Sequence, residues 1–284
     1  MPPVARTDAP PSTEHPVNTL PRLSIVTISF NQARFLGECM GSIVGQKTEG
    51  VEYIAVDPGS TDGSRELLEQ SPAIDHLIME PDAGPADGLN KGFAAATGEV
   101  YGYINADDRL APGAIDFVRR FFAENPAVDV LCGAIRIFDE DGRVSLRART
   151  ADLFDARRYA AGVCTVGQQG TFFRREAFLR AGCFRVANRV AWDGELLVDL
   201  HLSGARFATT RRILGDFRVY RGTISNSDAY HRKYCEYLRD LHQKLHDRGI
   251  APFPPSLVRI ARLAYKLNAL RHLDYVLARL TNPY

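Results

Sequence analysis

Past residue 22 the chain repeats one local pattern four times: a short apolar, β-branched run, a cluster of polar residues, then a stretch with helical spacing. LSIVTISF (23–30) reads as a strand buried on both faces. After Asn31, residues Phe35, Leu36, Cys39, Met40, Ile43 and Val44 recur at three and four, the period of a one-sided helix. VEYIAVD (51–57) is the second strand; PGSTDGS turns the chain, and a helix runs from Arg65 to Gln70, with Ser60, Thr61 or Asp62 as candidate cap. HLIMEP (76–81) predicts a third strand, broken by Asp82, Gly84 and Pro85 before a helix that stops at Gly98. VYGYI (100–104) is the fourth, and Pro112 suits the first turn of a helix burying Ile115, Val118, Phe121 and Phe122. Such alternation predicts an α/β fold: a mostly parallel, twisted, Rossmann-like sheet flanked by helices.

In open α/β sheets, ligands sit outside the carboxyl ends of the strands. The polar clusters at 29–31, 57–62, 82–87 and 105–108 all follow strand ends, so they are expected on one rim. The adjacent carboxylates of YGYINADDRL (101–110) have two readings. Acidic residues favour a helix N-terminus through the macrodipole. Alternatively they hold Mg²⁺ or Mn²⁺, which take carboxylate oxygens with phosphate and water.

The second half is less regular. VLCGAIRIFDEDGRV (130–144) reads as two strands joined by an Asp-Gly turn. QQGTFFRREAFLRAG (168–182) is a strand and a helix ending at Gly182, and DGELLVDLHLSG (193–204) is a helix with Gly204 as its stop. ARFATTRRILGDFRVY returns as strands, and two helices are expected at 228–248 and 256–280. Residues 1–21 hold six prolines and read as a disordered lead-in. The five cysteines are odd in number and scattered, without CxxC, which disfavours a disulfide scaffold or zinc site and suits a reducing, cytoplasmic setting. A formal charge of +1 gives no reason to expect a nucleic-acid partner. No apolar run approaches the ~18 residues of a membrane span.

SIVTISFNQARFL, AVDPGSTDGSRELL, EPDAGPADGLNKGFAAATGE, YGYINADD, VGQQGTFFRREAFLRAGCF and WDGELLVDLHLSG, in this order and spacing, resemble the successive motifs of family 2 glycosyltransferases, over roughly residues 22–225. The resemblance implies a GT-A domain over 22–226, with a donor half at about 22–125 and an acceptor half at about 126–226, followed by a helical appendage at 227–284. It also implies an inverting sugar transfer from a nucleotide-sugar, most simply a UDP-sugar, to an acceptor hydroxyl on a glycan or lipid-linked sugar. The setting it suggests is surface polysaccharide or glycolipid synthesis.

Site roles follow from the same resemblance. Asp57 would bond the nucleobase, though a turn-starting Asp is its structural alternative, and Pro58 stands where many relatives carry a second Asp. Ser29, Asn31, Asp87 and Lys91 would lie along the donor; Lys91 also reads as a solvated helix lysine. Asp108 is the first metal ligand, and Asp107 touches ribose or metal. Asn105 takes a place where relatives often have Asp. Gln168 or Gln169 would face the donor sugar. Asp193 aligns with the base that takes the acceptor proton, with Glu195 as competitor and helix capping as the alternative. Trp192 would wall the acceptor site or sit in the core. FRVYRGTIS (217–225) resembles a loop that closes over the diphosphate, offering Arg218, Arg221 and Ser225, with Tyr220 in place of a His.

The 256–280 helix is amphipathic and basic, carrying Arg259, Arg262, Lys266, Arg271 and Arg279 against Asp274. It either packs on the domain or makes peripheral contact with the inner face of a membrane. Two other classes stand beside the transferase. A nucleotidyltransferase would carry a Gly-rich phosphate loop where SFNQARF has no glycine; an inactive nucleotide- or glycan-binding module would have less use for Asp193. No G-x-G-x-x-G follows the first strand, which disfavours a dinucleotide enzyme.

Overall fold

The computed structural model describes residues 20–220 and 228–267. The first half runs β1 (Leu23–Ile28), α1 (Ala33–Val44), β2 (Val51–Val56), α2 (Ser64–Glu69), β3 (His76–Ile78), α3 (Pro85–Ala95), β4 (Val100–Asn105), β5 (Arg109–Leu110) and α4 (Ala114–Glu124). The second half adds β6 (Val130–Asp139), β7 (Val144–Arg149), α5 (Ala156–Ala160), a 3₁₀ turn at Gln168–Gly170, β8 (Thr171–Arg174), α6 (Arg175–Ala181), α7 (Trp192–Leu202) and β9 (Phe207–Val219). Helices α8 (Asp228–Asp247) and α9 (Pro255–Leu267) follow.

One sheet joins both halves, in the order β3-β2-β1-β4-β8-β6-β9-β5, with β7 on β6. β1 pairs in parallel with β2 and β4, and β2 with β3, as the strand–helix alternation requires. β8 runs antiparallel between β4 and β6, whereas β6 and β9 are parallel. The parallel expectation therefore holds for the first half, and the sheet as a whole is mixed.

Three local expectations change. The third strand is three residues, not six, because Met79 onward leaves the sheet edge. Residues 207–219 form one strand, not several; register shifts against β6 near Cys132 and Ala134 absorb its irregularity. Asp107 and Asp108 do not start a helix: β5 intervenes, and α4 begins only at Ala114.

Apolar residues cover both sheet faces. Leu23, Ile25, Tyr53, Ile104 and Leu131 pack with Cys39 and Ile43 of α1 and Ile115, Val118 and Phe122 of α4. On the other face Val26, Ile54, Tyr103 and Phe173 pack with α3, α6, α7 and, from α8, Leu241 and Leu245. Helix α7 is buried at every position from Gly194 to Leu200, which explains how it carries Glu195 and Asp199 inward. Lys244 of α8 meets both carboxylates, at 3.1 and 2.6 Å.

Candidate active site

The ends of β1, β2 and β4 are adjacent in the sheet, so their loops share a rim. Asn31 takes a left-handed backbone (φ 53), which Asn tolerates better than most residues. Its N–H donates to Ser60 Oγ (2.8 Å) and its Oδ1 accepts from Thr61 N–H (2.9 Å), tying the first loop to the second. Asp57 is fully buried and accepts from Gly59 N–H, Ser60 N–H and Ser60 Oγ at 2.6–2.9 Å. In this conformation it organises its own turn. Asp62 accepts from Ala33 N–H, joining the starts of α1 and α2. Ser29 lies at the end of β1 with its Oγ buried and unbonded among the described residues.

The acidic pair sits in the turn that follows the next strand, β4. Asp108 is 1% exposed, and both its oxygens are fixed: Oδ2 accepts from Gln169 Nε2 (2.8 Å), and Oδ1 from the Arg218 backbone N–H (2.9 Å). Asp107 Oδ2 accepts from the Tyr220 hydroxyl (3.2 Å), which also meets Gln32 Nε2 (3.2 Å). Burial pushes both carboxyls above the usual carboxylate range; for Asp108 the neighbouring Asp107 charge raises it further. Beside them Asn105 Oδ1 is buried without a hydrogen-bond partner among the described residues. No Lys or Arg forms an ion pair with either aspartate there.

Arg218 braces the acidic loop, with its Nη1 buried and without a hydrogen-bond partner among the described residues. It is 1% exposed, its guanidinium carbon 4.3 Å from both the Phe35 and Phe138 rings. Its Nε donates to the Asp107 carbonyl (2.8 Å) and its Nη2 to Glu38 (2.8 Å), so it braces the acidic loop. That bond to Arg218 is the main cause holding the Glu38 carboxyl below its ordinary range. Gln169 reaches Asp108 because Gly215 of β9 has no side chain; a Cβ there would collide with the Gln169 carbonyl. Gln168 Nε2 donates to the Tyr103 carbonyl (2.8 Å), one strand position pair below Asn105.

Asp193 opens α7. It stays half-exposed, yet it lies deep enough that burial pushes its carboxyl up, with the Gly194 N–H pulling the other way. A recessed carboxylate that solvent still reaches fits both facts. The neighbouring Trp192 ring lies 5.7 Å from the Tyr103 ring of β4, and the Tyr103 carbonyl accepts from Gln168. Trp192 also packs 5.7 Å from Phe184, so one side of its ring belongs to the core. Glu195 is committed elsewhere, accepting from Asn188 (2.6 Å) and pairing with Lys244 and Arg185.

Other residues singled out from the sequence make local contacts at α3 or fall outside the described residues. Asp87 accepts from Ala83 N–H (2.8 Å) across the start of α3, and Lys91 donates to the Pro81 carbonyl (2.5 Å). Arg221 and Ser225 lie outside the described residues, as do 1–19 and the end of the last predicted helix, 268–280. Sequence reading missed Tyr220 as a partner of Asp107, Glu38 as the anchor of Arg218, and Arg189. The exposed Arg189 guanidinium lies over the start of α3, 3.3 Å from where a Gly84 Cβ would stand. None carries a local motif; each is brought in by tertiary contact. Two clefts lie apart from the carboxylates: about 800 Å³ at the opposite strand ends, beside Arg22, Glu52, His76 and Arg119, and about 570 Å³ between α1, β5 and β9.

A mixed α/β sheet with an acidic pair in the turn that closes a central parallel strand is the architecture of GT-A transferases. The chain matches the glycosyl transferase family 2 over residues 24–182, more than half its length, and it belongs to that family. It is 33% identical over 114 residues to glycosyltransferase alr2836 of Nostoc sp., covering 39% of this chain and 35% of the relative. It is 28% identical over 186 residues to glycosyltransferase Rv1514c of Mycobacterium tuberculosis, covering 64% and 70%. Among solved structures it resembles S. aureus TarS 1–349 in complex with UDP-GlcNAc (TM-score 0.61, 16% identity, 88% of this chain and 73% of that one). It also resembles the mannosyltransferase PcManGT from Pyrobaculum calidifontis in complex with GDP-Man and Mn²⁺ (TM-score 0.59, 20% identity, 92% and 74%). At these identities the structural likeness speaks for the fold alone.

Proposed function

We propose that this chain is an inverting, divalent-cation-dependent transferase that moves a sugar from a UDP-sugar to a hydroxyl of a glycan or lipid-linked acceptor. One observation carries the reading: Asp107 and Asp108 are held side by side in a buried setting, with no cationic side chain forming an ion pair with them among the described residues. Two such carboxylates repel each other and lose hydration, a cost a bound cation offsets. The oxygen-only set of Asp107, Asp108 and the orphaned Asn105 Oδ1 suits a hard ion, Mg²⁺ or Mn²⁺, with donor phosphates completing its shell. When bound, the ion would act as a Lewis acid on the departing diphosphate.

The chain's own groups supply the rest. Asp193 takes the proton of the acceptor oxygen as that oxygen attacks the anomeric carbon from the face opposite the nucleotide. Among the described residues it has no ion-pair partner, whereas Glu195 is fully engaged, which favours Asp193 as base. Ser29 Oγ and the loop built on Asp57 and Asn31 line the nucleotide side, and Arg189 is a candidate cation for the diphosphate. The TarS and PcManGT complexes, with their UDP-GlcNAc, GDP-Man and Mn²⁺, support nucleotide-sugar and metal use here by fold analogy. Thermal-shift titration of UDP- and GDP-sugars with and without Mn²⁺ tests the reading. Stabilisation by a nucleotide-sugar that grows with Mn²⁺ is the expected result, and metal-independent binding of every donor refutes it.

Membrane contact belongs to the same proposal. Leu257, Ile260 and Leu263 of α9 are 50–62% exposed on one helix face, with exposed Arg259 alongside. An apolar stripe with Arg259 beside it suits an anionic bilayer surface, where lipid-linked acceptors reside, while Arg262 of the same helix donates to the Ala161 carbonyl (2.8 Å) and ties it to the domain. Among the described residues no helix is long and apolar enough to cross a membrane.

A further inference from the structure

The surroundings of Asp193 contain more than a base requires. Phenols from three further elements gather there: Tyr103 of β4, Tyr159 of α5, and Tyr234 and Tyr237 of α8 all feel the Asp193 charge. Their approach is built in. Gly194 has no side chain where the Tyr159 hydroxyl sits, and a Cβ there would collide with it. Tyr159 and Tyr234 hydrogen-bond to each other, and the Tyr234 and Tyr237 rings lie 6.0 Å apart. Trp192, Asp193, Tyr159, Tyr234 and Tyr237 are all half-buried, so they rest on the core without being closed into it. The Tyr237 hydroxyl is buried beside Tyr159, with no hydrogen bond of good geometry among the described residues.

From this arrangement we infer that Tyr159, Tyr234 and Tyr237, with Trp192, form the acceptor subsite around Asp193 and bind a saccharide ring. Phenols and an indole present flat apolar faces with polar tips, and a sugar presents C–H faces with hydroxyls at its edge. A sugar hydroxyl placed among the phenols would offer the buried Tyr237 hydroxyl a partner of good geometry and lie beside the carboxylate that is to take its proton. Two of the three tyrosines lie on α8, beyond the 24–182 family match, so the appendage becomes part of the substrate site. The inference rests on Asp193 being the base, but its test reads binding rather than transfer.

Trp192 is the chain's only tryptophan, so its emission reports this recess alone. The full chain, with UDP and Mn²⁺ present, is titrated with octyl glucoside and octyl N-acetylglucosaminide below micelle formation; octyl tetraethylene glycol ether controls for the alkyl chain. Saturable change with a glycoside and none with the ether is expected. Tyr237→Phe should weaken glycoside binding about fivefold, the value of one neutral hydrogen bond, and leave UDP affinity and Tm unchanged. Tyr234→Ala, which removes a whole face, should weaken it at least about tenfold. Equal glycoside affinity in folded variants, an equal response to the ether, or no saturable glycoside response overturns the inference. Asp193→Asn should bind glycosides like the parent; if it also transfers sugar, the base assignment fails while the subsite stands.

Discussion

Replacing Gln169 by Leu removes one donor from a buried carboxylate and little else. The side chain is 6% exposed, its Nε2 is 2.8 Å from Asp108 Oδ2, and Leu is close to Gln in volume. A hydrogen bond to a charged acceptor contributes about 1.5–3 kcal/mol. Asp108 retains only the Arg218 N–H, and its already raised pKa rises further, so a larger part of any cation's binding energy goes into removing a proton. Mn²⁺ affinity, measured calorimetrically at pH 7 with UDP saturating, should fall about ten- to a hundredfold, the range seen when a metal ligand loses its support. Gln168→Leu is the matched control: its amide donates to a backbone carbonyl, and Mn²⁺ affinity should stay within about twofold. A folded Gln169→Leu protein with parental Mn²⁺ affinity would refute the metal site at Asp108.

Asp193→Asn should lower turnover by about 10²–10⁴. Its folded pKa is raised, so the ionised parent is destabilised as pH rises through that pKa; the Asn variant escapes this, and its Tm at pH 7 should exceed the parent's. The acid limb of kcat should lie above the ~4 of a free carboxylate, because the base works only when ionised. Tyr220→Phe, which deletes the 3.2 Å contact to Asp107, should raise the Mn²⁺ requirement severalfold without lowering Tm. Co-sedimentation with anionic vesicles should drop when Leu257, Ile260 and Leu263 become Ser together; unchanged binding would remove the membrane contact.

The sequence displays the first half of the fold because its elements are local. Strand runs such as 23–28 and 51–56 are apolar throughout, and polar residues follow at once, so both the elements and the shared rim can be read directly. Asp107 and Asp108 were legible for the same reason. Their support was not. Arg218 lies 110 residues from Asp108, and nothing in FRVYRG signals that its guanidinium turns inward between two rings rather than toward phosphate. Asp57 shows the converse: its position could be read, but its carboxylate is filled by the Gly59 and Ser60 turn, a choice made by backbone geometry. Asp193 and Glu195 look equivalent in WDGELL. Lys244, supplied by a helix 49 residues later, separates them by occupying one.

That late helix also decides whether 227–284 is an appendage. Leu241 and Leu245 are 1% and 2% exposed and share a core with Val26 and Ile54 of the first strands. Removing each side chain from such a site costs about 2–5 kcal/mol, so losing both costs about 4–10 kcal/mol, against a domain stability of about 5–15. Without Lys244, Arg185 is the one cation left to Glu195 and Asp199 among the described residues. A chain ending at residue 227 should therefore fail to give a cooperative melting transition. One ending at 254 keeps α8 and loses only α9, whose Leu257, Ile260 and Leu263 are already exposed, and should melt near the parent Tm. A 1–227 protein with parental Tm would show that α8 is dispensable for the fold, and a collapse of the 1–254 protein would show that α9 is load-sharing rather than a surface element.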